Sequence, residues 1–134
     1  MTNLSQTLND IAQSCAAPGA ESSAQGVVEI VSPDLDRMLS FYDSLGFRIE
    51  RRTGPFAVIA GYGVRLFVAE NPDAPTAPRW TNLRIIVSNV DLIRGLASEL
   101  GLPIVHDVAD RSYGLRDFVV ADPTGFEIRF AQVL

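Results

Sequence analysis

One cysteine, Cys15, in 134 residues excludes an internal disulfide framework and fits a reducing compartment. One histidine, His106, excludes by count any metal site built on several imidazoles. Positive charge is also scarce: 11 Lys and Arg against 16 Asp and Glu leave a net charge of -5. A nucleic-acid or anionic-membrane footprint would need a basic patch, so neither partner is expected. No apolar run approaches the ~20 residues needed to span a bilayer. Residues 1–26 lack the basic start and continuous apolar stretch of a signal peptide, so the expected compartment is the cytoplasm. What is present is a globular composition, 47% hydrophobic and 20% charged. Its length fits one domain that buries roughly two thirds of its unfolded surface.

The chain then says the same thing twice. Val28-Glu29-Ile30-Val31-Ser32-Pro33-Asp34-Leu35-Asp36, running on to Leu45-Gly46, is echoed by Leu83-Arg84-Ile85-Ile86-Val87-Ser88-Asn89-Val90-Asp91, running on to Leu100-Gly101. The offset is a constant 55 residues, from Asp36 to Asp91 and from Gly46 to Gly101. Two copies are too few for a solenoid, which needs at least three stacked units. They suggest two modules in one pseudo-symmetric domain, with a concave surface between the halves.

Ahead of the repeat, residues 1–26 read as a flexible or helical arm, with Leu4, Leu8, Ile11 and Cys15 at helical spacing. Module one, residues 27–70, opens with a strand near Val27–Val31. Ser32-Pro33 then offers a capping hydroxyl and a first-turn proline. Leu35, Met38, Leu39, Tyr42 and Leu45 form one apolar helix stripe, and Gly46 stops it. Three strands follow, near Arg48–Arg52, Phe56–Ala60 and Val64–Ala69. The Pro-rich segment 71–79 cannot be sheet interior, because proline lacks the amide donor. Module two, residues 80–134, repeats the plan. It has a strand near Thr81–Val87, a helix over Val90–Leu100, and strands near Ile104–Val108, Asp117–Ala121 and Glu127–Ala131. Asp122-Pro123-Thr124-Gly125 is a type I turn. The fold class is α+β, two βαβββ modules in tandem.

Alternation along the strands separates two faces. Val28, Ile30, Leu83, Ile85, Val87, Phe126, Ile128 and Phe130 belong with the helices. The other face carries Val27, Glu29, Arg65, Phe67, Asn82, Arg84, Glu127 and Arg129. Aromatic candidates around it are Phe56, Tyr62, Trp80 and Tyr113, the last on the loop before Arg116. Such rings stack on planar heterocycles. The three arginines either pair with Glu29 and Glu127 into a neutral floor or, unpaired, select a carboxylate or phosphate.

The phrase from Ser32 to Phe47, the tail from Tyr113 to Phe118 and the Asp122-Pro123-Thr124-Gly125 hairpin, set in two βαβββ modules, resemble the vicinal oxygen chelate superfamily. That superfamily holds glyoxalase I, the extradiol dioxygenases and the fosfomycin- and bleomycin-resistance proteins. The resemblance covers about residues 27–132. It implies a curved eight-stranded mixed sheet, a half-barrel cup with helices on its outer face. It also implies a divalent metal in the enzymes, whose ligand seats carry over to Val27, Asn82 and Arg129, with a fourth near Phe67. Valine and phenylalanine have no donor atom, an arginine cation repels a metal ion, and one neutral amide oxygen cannot hold it alone.

The resemblance therefore points to the metal-free, bleomycin-resistance-like branch, whose ligands lie in a groove built by a dimer. It implies a homodimer that binds a small organic ligand, antibiotic sequestration being one form, without cofactor, metal or assigned catalytic residue. The expected ligand-binding residues are Glu29, Phe67, Trp80, Asn82, Arg84, Tyr113, Arg116, Glu127 and Arg129. The alternative is a lyase, isomerase or dioxygenase-type enzyme with an atypical site, in which Glu29 or Glu127 beside an arginine would serve as acid or base. A structural role, with the arm docking on a partner, is a third reading.

Overall fold

The structure, a computed structural model, describes residues 3–14, 26–77 and 80–134. Cys15 and the Ala16–Ser23 stretch lie outside the described residues. The elements in chain order are α1 (Leu4–Gln13), β1 (Val28–Ser32), α2 (Leu35–Leu45), β2 (Arg48–Thr53), β3 (Phe56–Gly61), β4 (Val64–Glu70), β5 (Asn82–Ile86), α3 (Val90–Glu99), β6 (Ile104–Asp110), β7 (Leu115–Ala121) and β8 (Glu127–Val133). Two βαβββ modules are present, as the repeat requires. No helix among the described residues is long and apolar enough to cross a membrane.

The duplication is visible in the helix starts. Asp34 caps α2 by accepting from the Arg37 amide at 3.0 Å, and Asn89 caps α3 by accepting from the Leu92 amide at 3.1 Å. These caps keep the offset of 55 (89 − 34). The cap of α2 is thus Asp34 rather than Ser32, because an Asx side chain reaches the amide three residues on, while Ser32 Oγ accepts from the Asp34 amide one step earlier. Gly46 ends α2 at φ +107°, a conformation that costs an L side chain.

The eight strands hydrogen-bond as two four-stranded mixed sheets. Sheet A has the order β1-β4-β3-β2 and sheet B the order β5-β8-β7-β6. In each, the first strand runs parallel to the last and the other neighbours are antiparallel.

One core serves both modules. Ile30, Leu66 and Val68 of sheet A, the apolar stripe of α2, and Ile85, Phe118, Ile128 and Phe130 of sheet B form a single buried cluster. Tyr42, fully buried on α2, donates to Asp122 Oδ2 at 2.7 Å and so ties module one to the β7–β8 turn. Tyr62 packs edge-on against Phe130, with ring centroids 5.0 Å apart. Because the helix side of each sheet turns to this shared core, the opposite face of each sheet points away from it. Val58, Val119 and Ala131 are buried but lie outside the core cluster, so each outward face has its own small apolar floor.

Candidate functional site

The outward face of sheet B is built on the parallel β5–β8 ladder. Asn82 is the direct partner of Glu127, and Arg84 of Arg129. The next strand, β7, sets Asp117 beside Ala131 and Val119 beside Arg129. Period-2 alternation therefore gathers Asn82, Arg84, Asp117, Glu127 and Arg129 on one face.

Asp117 is fully buried and organises this face. Its Oδ1 accepts from Arg111 Nε at 2.7 Å and its Oδ2 from the Tyr113 hydroxyl at 2.8 Å. Arg84 and Arg129 stand near the same Oδ2, at 3.7 and 3.9 Å. These separations give charge attraction without a hydrogen bond. The Arg84 guanidinium also lies over the Tyr113 ring, 5.3 Å from its centroid. Burial pushes the Asp117 carboxyl up, but the hydrogen bonds from Arg111 and Tyr113 and the charges of Arg111 and Arg129 outweigh it, so the carboxyl titrates below its ordinary value.

Glu127 approaches Arg129 at 4.0 Å, a weak contact. Arg129 Nε is buried and makes no hydrogen bond among the described residues. Three arginines (84, 111 and 129) face two carboxylates (117 and 127), which leaves this cluster one positive charge in excess.

The outward face of sheet A has different chemistry. Glu29 is the direct partner of Phe67, and Phe67 of Val58 across the next pair. Phe56 and Phe67 meet edge to face at 5.1 Å, with Arg51 over the Phe56 ring at 5.9 Å. Arg65 is paired with Glu50 at 2.8 Å, and this hydrogen bond holds the Glu50 carboxyl below its usual range. Glu50, Arg51, Val58, Arg65 and Phe67 line an open groove of about 260 Å³. Glu50 reaches that groove because β2 bulges between Ile49 and Arg51.

The expected ligand-binding residues therefore divide. Asn82, Arg84, Tyr113, Glu127 and Arg129 come together on sheet B, while Glu29 and Phe67 lie on sheet A. Trp80 stands fully exposed just before β5. Arg116 joins neither group. It alternates with Asp117 on β7, so it leaves the face that Asp117 occupies. Its guanidinium instead pairs with Asp91 at 2.9 Å in the first turn of α3 and with Asp110 at 3.0 Å. Tyr62 likewise belongs to the module junction, where it packs on Phe47 and donates to the Leu45 carbonyl.

Two residues of the sheet B cluster are not among the expected ligand-binding residues. Arg111 lies on the β6–β7 loop, where no periodicity applies. Asp117 had a signal: a carboxylate at the head of the apolar run Phe118-Val119-Val120 is costly unless partnered.

The seats that the family resemblance assigns to metal ligands hold Val27, Phe67, Asn82 and Arg129. Arg129 sets its guanidinium beside Asp117 and Glu127, so a cation already holds the centre of the face. Among the described residues no group of three or more His, Cys, Asp or Glu side chains could hold a metal ion. A divalent cation does not fit this donor set.

Two tandem βαβββ modules, each turning a polar and aromatic sheet face outward, define a class of paired-module α+β proteins. The profile of the Glyoxalase/Bleomycin resistance protein/Dioxygenase superfamily matches residues 24–130, and the chain belongs to that superfamily.

Solved structures share the fold. A glyoxalase/bleomycin resistance protein/dioxygenase from Alicyclobacillus acidocaldarius is 21% identical with a TM-score of 0.73, over 84% of this chain and 92% of that one. A bleomycin resistance determinant encoded on the transposon Tn5 is 19% identical with a TM-score of 0.72, over 83% and 98%. A bleomycin-binding protein complexed with bleomycin is 19% identical with a TM-score of 0.71, over 84% and 100%. No curated protein matches the chain.

Proposed function

We propose that this protein binds a small organic molecule on its outward sheet faces, without a metal, in the manner of the bleomycin-resistance proteins. One observation carries the reading: Arg129, whose buried Nε has no hydrogen-bond partner among the described residues, stands where the resemblance seats a metal-binding carboxylate. The chemistry around it is that of recognition. It comprises a buried carboxylate, guanidinium forks and an exposed Tyr113 ring on sheet B, and the Phe56–Phe67 pair beside an open groove on sheet A. The likeness in fold to the bleomycin-binding protein supports the same reading.

The working form is a homodimer in which sheet A of one protomer faces sheet B of the other. Among the described residues β1 and β2 are the edges of sheet A and β5 and β6 those of sheet B, with Val28 exposed on β1 and Ile86 on β5. Such edges are normally covered. Joining an aromatic face to a cationic one would close a cup that neither module closes alone.

Melting of chelator-treated protein with bleomycin and a panel of planar aromatic compounds tests the proposal. A ligand that binds only the native state raises the melting temperature. At least one compound is expected to raise it saturably with no metal added. A melting temperature unmoved across the panel, or moved only when a divalent metal is restored, would overturn it.

A further inference from the structure

The two outward faces differ in charge, and the difference specifies the ligand for one of them. We infer that the sheet B face, through Arg84 and Arg129, binds the carboxylate of a planar, conjugated monoanion. This rests on the reading of the outward faces as ligand-binding surfaces and names the substrate class for one of them.

Arg84 and Arg129 are direct partners on neighbouring parallel strands, which run about 4.8 Å apart. Like charges at that spacing repel unless an anion lies between them. Asp117 answers this only in part. Its two oxygens take their short hydrogen bonds from Arg111 and Tyr113, and Arg84 and Arg129 remain at 3.7 and 3.9 Å. Among the described residues their forks keep N–H donors uncommitted, and the buried Arg129 Nε has no acceptor.

A carboxylate accepts two parallel N–H bonds from such forks, and this geometry favours arginine over a point charge. The cluster's excess of one positive charge matches a monoanion rather than a phosphate dianion. Tyr113, held by its hydroxyl on Asp117 and more than half exposed, turns a ring to the same place. A flat conjugated body attached to the carboxylate would pack there. Sheet A lacks this character, since Arg65 is already committed to Glu50. The net charge of -5 opposes anions at long range, but screening limits that effect beyond about 8 Å at physiological salt.

The chain's 11 basic residues are all arginine, so the arginine Nε–H region of a nitrogen-correlated NMR spectrum contains few signals. The full-length, chelator-treated, ¹⁵N-labelled protein is titrated with sodium benzoate, with neutral benzamide and with inorganic phosphate. Benzoate is expected to move the Arg84 and Arg129 signals saturably, and phosphate to bind roughly tenfold more weakly or less. Benzamide is expected to leave those two signals in place.

Arg129→Gln, with its backbone spectrum retained, is expected to weaken benzoate at least about tenfold, whereas Arg52→Gln, at an exposed ion pair with Asp36 away from both outward faces, leaves it unchanged. Should Arg129→Gln fail to fold, the three titrations of the unaltered protein still decide the matter. Equal shifts with benzamide would overturn carboxylate selectivity while leaving ligand binding at this face in place. Tighter binding of phosphate, or unaltered benzoate binding in Arg129→Gln, would overturn the assignment. So would no shift with benzoate, and the melting panel then judges the broader reading separately.

Discussion

Arg84 and Arg129 face each other across the parallel β5–β8 pair, two like charges side by side on one sheet face. Their juxtaposition is held by a third residue, Asp117, buried on the next strand and hydrogen-bonded to Arg111 and Tyr113. The face is therefore organised before any ligand arrives, with the carboxylate beneath and the guanidinium forks above.

Replacing Asp117 by Asn is expected to destabilise the fold by about 2–4 kcal/mol, because Arg84, Arg111 and Arg129 lose their common counter-charge. Urea denaturation checks this. A loss under about 0.5 kcal/mol would mean that the arginines relax into solvent and that Asp117 does not organise them.

The same residue sets an acid dependence. Its carboxyl in the folded protein titrates below the ordinary 3.8, so the unfolded state binds more protons than the native state across that interval. Its stabilising contribution is complete well above pH 3.8 and is lost as pH falls through the folded value. Glu50, Asp91 and Asp107 shift the same way through arginine hydrogen bonds, but solvent screens those exposed pairs. Urea midpoints followed from neutral pH into acid should fall for the native sequence and fall less steeply for Asp117→Asn. Parallel profiles would contradict the assignment.

The two modules are joined through the buried Tyr42–Asp122 hydrogen bond. Tyr42→Phe keeps the ring in the core and removes the donor to Asp122 Oδ2. The expected cost is about 1–3 kcal/mol, read from the urea midpoint. The donors of Thr124 and Phe126 are committed to Asp122 Oδ1, so Oδ2 would lose the Tyr42 hydroxyl without a substitute from its own turn.

Gly46→Ala tests the helix stop. The position has φ +107°, and an added Cβ would meet Tyr62 Oη at 3.1 Å. The expected loss is about 1–2 kcal/mol, seen as a lower melting temperature. A neutral result would show that the α2 end relaxes freely.

Much of this was legible in the sequence, for physical reasons that differ by residue. The apolar stripe of α2, the phrase repeated 55 residues on and the Gly46 stop are local, so α2 and α3 could be placed from spacing alone, although the cap of α2 proved to be Asp34 and not Ser32. Alternation found Asn82, Arg84, Glu127 and Arg129 because each strand holds its period there. Carried onto β7, alternation sets Arg116 on the side opposite Asp117, where that side chain pairs with Asp91 and Asp110. It placed Glu29 and Phe67 with the sheet B residues because period-2 reading gives a side chain's face and not the direction in which the whole sheet looks. That direction follows from the shared core, whose cross-module contacts, such as Tyr62 on Phe130, are set by tertiary packing.

The most direct test of the central claim, that these faces bind organic ligands and not a metal, is calorimetric titration of tag-free, chelator-treated protein with Zn²⁺, Mn²⁺ and Ni²⁺. The account predicts no saturable binding in the micromolar range for any of the three. One-to-one micromolar binding of any of them, abolished by Asn82→Ala, would contradict it.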